Sequence, residues 1–233
     1  MPGRRDPSMN RAVIGARVHS GWAAVLAVSS AGGLAAGMIA GGKDRQRYTV
    51  IDRRRIVIVD SAVVGANQPY HFAENLELPD AEKYLANCAA ASEQLASAAV
   101  REMAGEVRAR GFEVAGCAIV MAAGRPLPSL ADILASHALI HTAEGEFFRR
   151  ILRQACEGQG IAVTGIRERD LDDRAKAVFG SAAALTQQSI AGLGRSLGPP
   201  WTLDQKAAAL AASIVLADLC GHTHCKSPSS SVD

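Results

Sequence analysis

The chain has 233 residues, of which 48% are hydrophobic, 21% charged and 4% aromatic. This composition excludes a largely disordered or fibrous protein and suits one domain of good size. The net charge of +2 is too small to require a polyanionic partner. The scarcity of aromatic rings also argues against a surface that binds nucleic acid mainly by stacking bases. Any nucleic-acid surface would therefore be local.

Five cysteines are scattered along the chain without a Cys-x-x-Cys pair: Cys88, Cys117, Cys156, Cys220 and Cys225. Three of them lie in apolar runs, which is typical of reduced, buried thiols. We therefore expect a cytoplasmic protein.

One segment competes with that localisation. Residues 21–42 carry no charge, follow several arginines and contain Gly33, Gly37 and Gly41 at four-residue spacing. The segment is mostly Ala, Gly and Ser, so its transfer into lipid is weakly favourable at best. We expect no membrane anchoring.

Strands dominate the first part of the chain. Residues 1–11 are polar and expected to be loose, 12–28 predict a first strand, and 48–60 give the clearest strand because they end in four consecutive β-branched residues. Apolar residues then recur at helical spacing over 80–110, where Gly111 stands at the place of a C-terminal cap.

Helices and strands alternate in the second part. A short buried strand is predicted over 113–122, and the pair Ser129 and Asp132 marks the start of a helix that runs to about Glu157. A strand, helical segments broken near a glycine, a last helix and a loose tail follow: 161–166, 170–197, 202–219 and 221–233. This order predicts a single α/β domain over 12–220, with helices on the faces of a sheet.

Two stretches of the C-terminal half carry a family resemblance. They are HTAEGEFFRRILRQACEGQGIAVTGIRERDLDDRAKAVFG, from His141, and LGPPWTLDQKAAALAAS, from Leu197. The first resembles a helix with a small-residue step, a strand and a following segment of the bacterial Holliday-junction resolvases of the ribonuclease H-like superfamily. The second is similar to their Pro-Pro turn and Ala-rich final helix, and RVHSGWAAV is similar to their first strand. The resemblance implies a ribonuclease H-like mixed sheet flanked by helices.

The resemblance also implies a nuclease with two metal ions. The metal ligands would be an acid in the first strand, one in the strand after the first long helix, and a pair in the last helix. No Asp or Glu occurs over 7–43 or 114–131, and of the expected pair in the last helix only Asp204 is present. An acid there is also favoured simply by the helix dipole. The sequence therefore predicts a protein without this nuclease activity.

The stretch HALIHTAEGEFF places three polar residues on an otherwise apolar helix stripe. His137, His141 and Glu144 follow one another at spacings of four and three, within reach of a single ion or ligand. A metal or acid–base site is the functional interpretation, and a satisfied hydrogen-bond network is the alternative. No H-E-x-x-H motif is present.

Further candidate residues fall into three groups. The stretches around His19 and His71 predict a ligand-binding group: His19, Trp22, Tyr70 and His71. The last helix adds two catalytic candidates, Asp204 and Lys206. The strand region near residue 50 adds a basic group for nucleic acid: Arg45, Arg47, Arg53 and Arg55. A solvated hairpin is the alternative for the basic group.

The tail offers a last set of ligands, Cys220, His222, His224 and Cys225, for which adventitious metal binding is expected. The leading hypothesis is thus a nuclease-inactive binding or scaffold module that contacts nucleic acid or a protein partner. The alternative is a metal-dependent hydrolase that uses the His/Glu site with a divalent metal.

Overall fold

The computed structural model describes residues 10–30, 48–122 and 126–221. A single five-stranded sheet organises them, in the order β3-β2-β1-β4-β5. The strands are β1 (Asn10–His19), β2 (Trp22–Ser30), β3 (Tyr48–Val57), β4 (Phe112–Met121) and β5 (Val163–Arg167). The first three strands run antiparallel, whereas β4 and β5 run parallel to β1. The predicted mixed sheet is confirmed by these strand directions.

The predicted first strand over 12–28 is in fact a hairpin. β1 and β2 are joined by the two residues Ser20 and Gly21, and Gly21 has a φ of 78°. Only glycine adopts such a φ without strain. β1 also begins at Asn10, before the end of the segment that was expected to be loose, while residues 1–9 and 222–233 lie outside the described parts.

Eight α-helices surround the sheet in the described parts of the chain. They are α1 (Pro69–Ala73), α2 (Leu78–Ala109), α3 (Leu130–Leu134), α4 (His137–Gly158), α5 (Leu171–Phe179), α6 (Ala183–Gly192), α7 (Gly194–Leu197) and α8 (Leu203–Gly221). The helix predicted over 80–110, the break in the helical segments over 170–197, which lies at Gly180, and the last helix are confirmed. Thr202 and Gln205 form a capping contact at the start of the last helix, because the backbone N–H of Thr202 donates to Gln205 Oε1 at 2.9 Å.

The helix predicted from Ser129 to Glu157 is two helices. Ser129 does cap the first, with its Oγ accepting the N–H of Asp132 at 3.2 Å, but α3 ends after one turn. Ser136 is extended, and α4 starts at His137. The break therefore divides the predicted helix between α3 and α4.

The sheet is covered on both faces. α2 and α4 pack on one face, where Ile14 and Ala16 of β1 point into the same core as Phe148. α8, with α5 and α6, covers the other face, toward which Val13 points. Alternate residues of β1 thus contact different layers, as the period of a strand requires.

Gly15 explains how closely α8 approaches β1. A Cβ at this position would lie 2.1 Å from the carbonyl oxygen of Ala208, which is far too close for two non-bonded atoms. Ala208, Ala211 and Ala212 are fully buried on the helix face that meets the sheet. Small side chains on both partners therefore let α8 lie directly on the strand.

The structure bears on the uncharged segment 21–42 and on the state of the cysteines. Residues 22–30 of the uncharged segment form β2, residues 31–42 lie outside the described parts, and no helix of the described residues is long and apolar enough to cross a membrane. Cys88, Cys117 and Cys156 are buried thiols outside any disulfide, as predicted. A hydrogen bond with Cys156, together with burial, raises the pKa of Cys117 well above its usual value.

Candidate functional site

The predicted site residues form two separate groups, and the first lies where β1 meets the start of α8. Nε of Arg17 is 3.0 Å from Oδ1 of Asp204. The two terminal nitrogens of Arg17 donate to the two carboxylate oxygens of Glu168, at 2.7 and 3.1 Å. Nε2 of His19 lies 3.1 Å from the same Asp204 oxygen. We call Arg17, His19, Glu168 and Asp204 the ion-pair cluster.

The ion-pair cluster does not fit the pair of metal ions that the resemblance implies. β1 contributes a guanidinium to it, in place of a carboxylate, and the β4 residue paired with Arg17 is the apolar Val120. Of the acids that the resemblance implies as metal ligands, Asp204 was the one found in the sequence. Its side chain is only 22% exposed and lies between Arg17 and His19. A cation placed there would meet the charge of Arg17 at close range.

Lys206, another predicted catalytic residue, lies near the ion-pair cluster. Arg17, Glu168 and Lys206 share a cleft of about 350 Å³ that is otherwise lined by side chains of α5, α6 and α8. Two basic groups, Arg17 and Lys206, and two acids, Glu168 and Asp172, therefore border the same cleft. Glu168, which comes directly after β5, was not among the predicted residues, because nothing in its local sequence distinguishes it from the neighbouring acids.

Trp22 connects this region to β3. Its ring stacks on His19 at 4.3 Å between centroids, with the planes 12° apart. The guanidinium carbon of Arg55 lies 4.4 Å from the Trp22 ring centre. Trp22 is partly exposed and Arg55 is exposed, so the outer side of this stack presents the guanidinium to solvent while His19 and Arg55 cover the two faces of the Trp22 ring. The predicted residues His19, Trp22 and Arg55 are thus neighbours.

Arg53 differs from Arg55 in its surroundings. Its guanidinium donates to the carbonyl oxygens of Leu197, Gly198 and Pro200, at 3.1, 3.0 and 2.7 Å. These bonds fasten the turn before α8 and involve both terminal nitrogens of the guanidinium. The structure therefore gives Arg53 an internal role, and its contact with nucleic acid stays a prediction. Arg45 and Arg47 lie outside the described residues.

The second group joins α1 to the start of α4. His71 of α1 meets His137 and His141 of α4, and one ring nitrogen of each lies within 4.8 Å of those of the other two. The Nε2 atoms of His137 and His141 are 3.1 Å apart. His137 and His141 are exposed, and His71 is partly buried. We call these three residues the histidine cluster.

Glu144 lies behind the histidine cluster. Its side chain is only 3% exposed, and Oε1 lies 3.0 Å from Nδ1 of His71, at an angle outside the range of a hydrogen bond. The same oxygen accepts the backbone N–H of His71 at 3.3 Å. Of the residues predicted to share one ion, His137 and His141 therefore face each other, whereas Glu144 faces His71.

Tyr70, the remaining ligand-binding candidate, packs into the core. Its ring meets Phe147 edge-on at 6.0 Å between centroids. Burial is the main reason that its pKa is raised, with Glu144 adding to the rise and Arg150 opposing it. Its neighbour His71 is the residue that reaches the cluster.

The four candidate histidines do not converge at one point. His19 belongs to the ion-pair cluster beside α8, and the other three belong to α1 and α4, which lie with the opposite layer. The two groups are therefore independent sites.

Comparison with known proteins gives similarity at the level of fold. No family model matches the chain, and no curated protein matches it. A solved structure of Thermus thermophilus RuvC is 12% identical, with 90% of this chain and 96% of that chain covered and a TM-score of 0.47. T. thermophilus RuvC in complex with a Holliday junction substrate is 10% identical, with 91% and 97% covered and a TM-score of 0.49. At these identities the similarity concerns the fold alone.

Proposed function

We propose that this protein is a binding module that does not hydrolyse phosphodiesters by a two-metal mechanism. The observation that carries the proposal is the guanidinium of Arg17, which pairs with both Glu168 and Asp204. Two-metal hydrolysis needs carboxylates that hold two divalent cations a few ångströms apart. Here both carboxylates pair with a cationic side chain of the protein, which metal ions would have to displace.

The charge of the ion-pair cluster supports this proposal. Its two carboxylates face Arg17, and Asp204 also faces His19. A divalent cation would have to displace the bidentate contact of Arg17 with Glu168, which is the strong geometry for this type of pair. Loss of these contacts would then leave a guanidinium beside the ion.

We propose nucleic acid as the partner, bound near Trp22. The exposed guanidinium of Arg55 lies over the Trp22 ring, and a guanidinium held in this way can contact phosphates and stack on exposed bases. Lys206 borders the cleft next to the ion-pair cluster. The surface is local, as expected for a chain whose net charge is +2.

Two measurements on the full chain test the proposal. Linear and branched DNA and single-stranded RNA are incubated with the protein in Mg²⁺ or Mn²⁺, and no cleavage is expected. The same labelled substrates are titrated at low salt by fluorescence anisotropy. Binding that weakens with salt is expected, because phosphate contacts release counterions.

Matched variants locate the surface. Trp22→Ala and Arg55→Ala are expected to weaken binding by about tenfold each, in the range of one lost stacking or cation contact. Arg101→Ala removes the same charge from the exposed side of α2 and is the control. Metal-dependent cleavage that disappears in Asp204→Asn would overturn the inactive assignment. Absence of binding, or equal weakening in the control, would overturn the nucleic-acid surface.

A further inference from the structure

We propose that His71, His137 and His141 form a binding site for a zinc-class transition-metal ion, with Glu144 as a positioning residue behind His71. The site is independent of the proposed nucleic-acid surface, since it belongs to the opposite layer of the fold. Three imidazoles from two helices meet there, with one nitrogen of each within 4.8 Å of the others.

The spacing of the nitrogens is close to that of a zinc site. Imidazole nitrogens bind zinc at about 2.0–2.1 Å, so two ligands of a tetrahedral ion lie about 3.3 Å apart. The Nε2 atoms of His137 and His141 are 3.1 Å apart. Both side chains are exposed, so small rotations can bring all three rings to ligand distance without repacking the core.

The buried carboxylate of Glu144 is the second observation. A carboxylate that is 3% exposed is costly unless polar groups compensate it. Here its Oε1 accepts the backbone N–H of His71 at 3.3 Å, and Nδ1 of the same residue lies 3.0 Å away, where a small rotation of the ring would complete a hydrogen bond. Metal-bound histidines usually donate their second ring N–H to a carboxylate, which fixes the tautomer. With its proton on Nδ1 beside Glu144, His71 would offer Nε2 to the ion.

The ligand set indicates the class of metal. Three imidazoles suit zinc and the late first-row ions, whereas magnesium and calcium prefer oxygen ligands. Because His137 and His141 are exposed, the fourth position faces solvent. Three protein ligands with one open position are the arrangement in which zinc activates water. The hydrolase alternative suggested by the sequence would depend on this ion.

The test measures zinc in tag-free, full-length protein. The protein is stripped with a chelator, reloaded with zinc, dialysed and analysed by plasma mass spectrometry, and affinity is measured by competition with a chromophoric chelator. One zinc per chain is expected in the parent protein. The double variant His137→Ala, His141→Ala is expected to lose it, and Glu144→Gln is expected to weaken affinity by about 10–100-fold, as loss of an outer partner typically does.

The C-terminal tail supplies the matched control. His222→Ala with His224→Ala removes the same number of imidazoles from the tail, where only adventitious binding that dialysis removes is expected, and should leave the zinc retained after dialysis unchanged. Cobalt in place of zinc gives a visible spectrum, which should disappear with the cluster variant and persist with the tail variant. Circular dichroism and thermal melting of the stripped proteins verify that each variant is folded.

Three results would overturn the site. They are a stripped parent that takes up no zinc, zinc retained in the His137, His141 double variant, and zinc lost from the tail variant. An unchanged affinity in a folded Glu144→Gln protein would overturn the positioning role of Glu144.

Discussion

Arg17 and Asp204 lie 3.0 Å apart, although one belongs to the first strand and the other to the last helix. The contact exists because α8 packs directly on β1 and places its first turn beside the end of the strand. A carboxylate in the first turn of a helix is already stabilised by the helix dipole. The guanidinium adds a direct partner on the strand side.

Removing Arg17 should lower stability. In Arg17→Ala, Asp204 and Glu168 lose their shared partner, and we expect the free energy of unfolding to fall by about 1–2 kcal/mol. Urea denaturation at neutral pH measures this. The control is Lys176→Ala, because the Lys176–Asp173 pair is almost fully exposed and should contribute nothing measurable. An equal loss in both variants would contradict a special role for Arg17.

Gly15 should tolerate no side chain. In Gly15→Ala the new Cβ would collide with the carbonyl of Ala208, so α8 must shift away from β1, and we expect a loss of about 3 kcal/mol or more. Gly105, near the C-terminal end of α2, is the opposite case, with nothing within 4 Å of an added Cβ. Gly105→Ala should stabilise the protein by about 0.5–1 kcal/mol. Thermal melts of the two variants should therefore move in opposite directions.

Arg53 should matter for stability more than its neighbour on the same strand. Arg53→Ala leaves three carbonyl oxygens without their donor, with an expected loss of about 1–3 kcal/mol. Arg53→Lys should not restore it, because one ammonium cannot reproduce the fork of the guanidinium. Arg55→Ala is the control and should change stability by less than about 0.5 kcal/mol. Chemical denaturation of the three proteins decides the matter, and a neutral Arg53→Ala would refute the structural role.

Stability should decline at alkaline pH in part through Cys117. Its pKa is raised in the folded protein, so the unfolded chain releases the proton first as the pH rises above the ordinary value of 9.0. Stability from this group is therefore complete below about pH 9 and is lost progressively above it. In Cys117→Ala the slope of unfolding free energy against pH between 9 and 10.5 should be shallower.

A truncation without a titrating group supplies the control for that slope. Ile119→Val removes a methyl group from the same buried strand and should lower stability at every pH without changing the slope. A parent slope that Cys117→Ala leaves unchanged would contradict the assignment to this thiol.

Periodic sequence predicted the long elements well. α2 and α8 combine a run of helical spacing or alanines with recognisable ends, Gly111 for the first and the Thr202–Gln205 pair for the second. The β1–β2 hairpin was missed because apolar residues predominate in both strands. The two-residue turn at Ser20 and Gly21 interrupts this pattern only briefly.

The candidate site was predicted less well than the fold. The break before His137 was missed because apolar residues continue at helical spacing on both sides of it, while the backbone of Ser136 is extended. The pairing of Arg17 with Asp204, and of His71 with Glu144, joins residues far apart in sequence. Only the packing of helices on the sheet decides which distant side chains meet.

The seat of α8 on Gly15 has a consequence for how freely this fold can change its chemistry. Because bare backbone fixes the distance between helix and strand, the residue at position 17 can be exchanged while the scaffold around Glu168 and Asp204 stays in place. Arg17→Asp would replace the guanidinium between these two acids with a third carboxylate. A single substitution therefore separates the present ion-pair cluster from a group of three carboxylates that would attract cations.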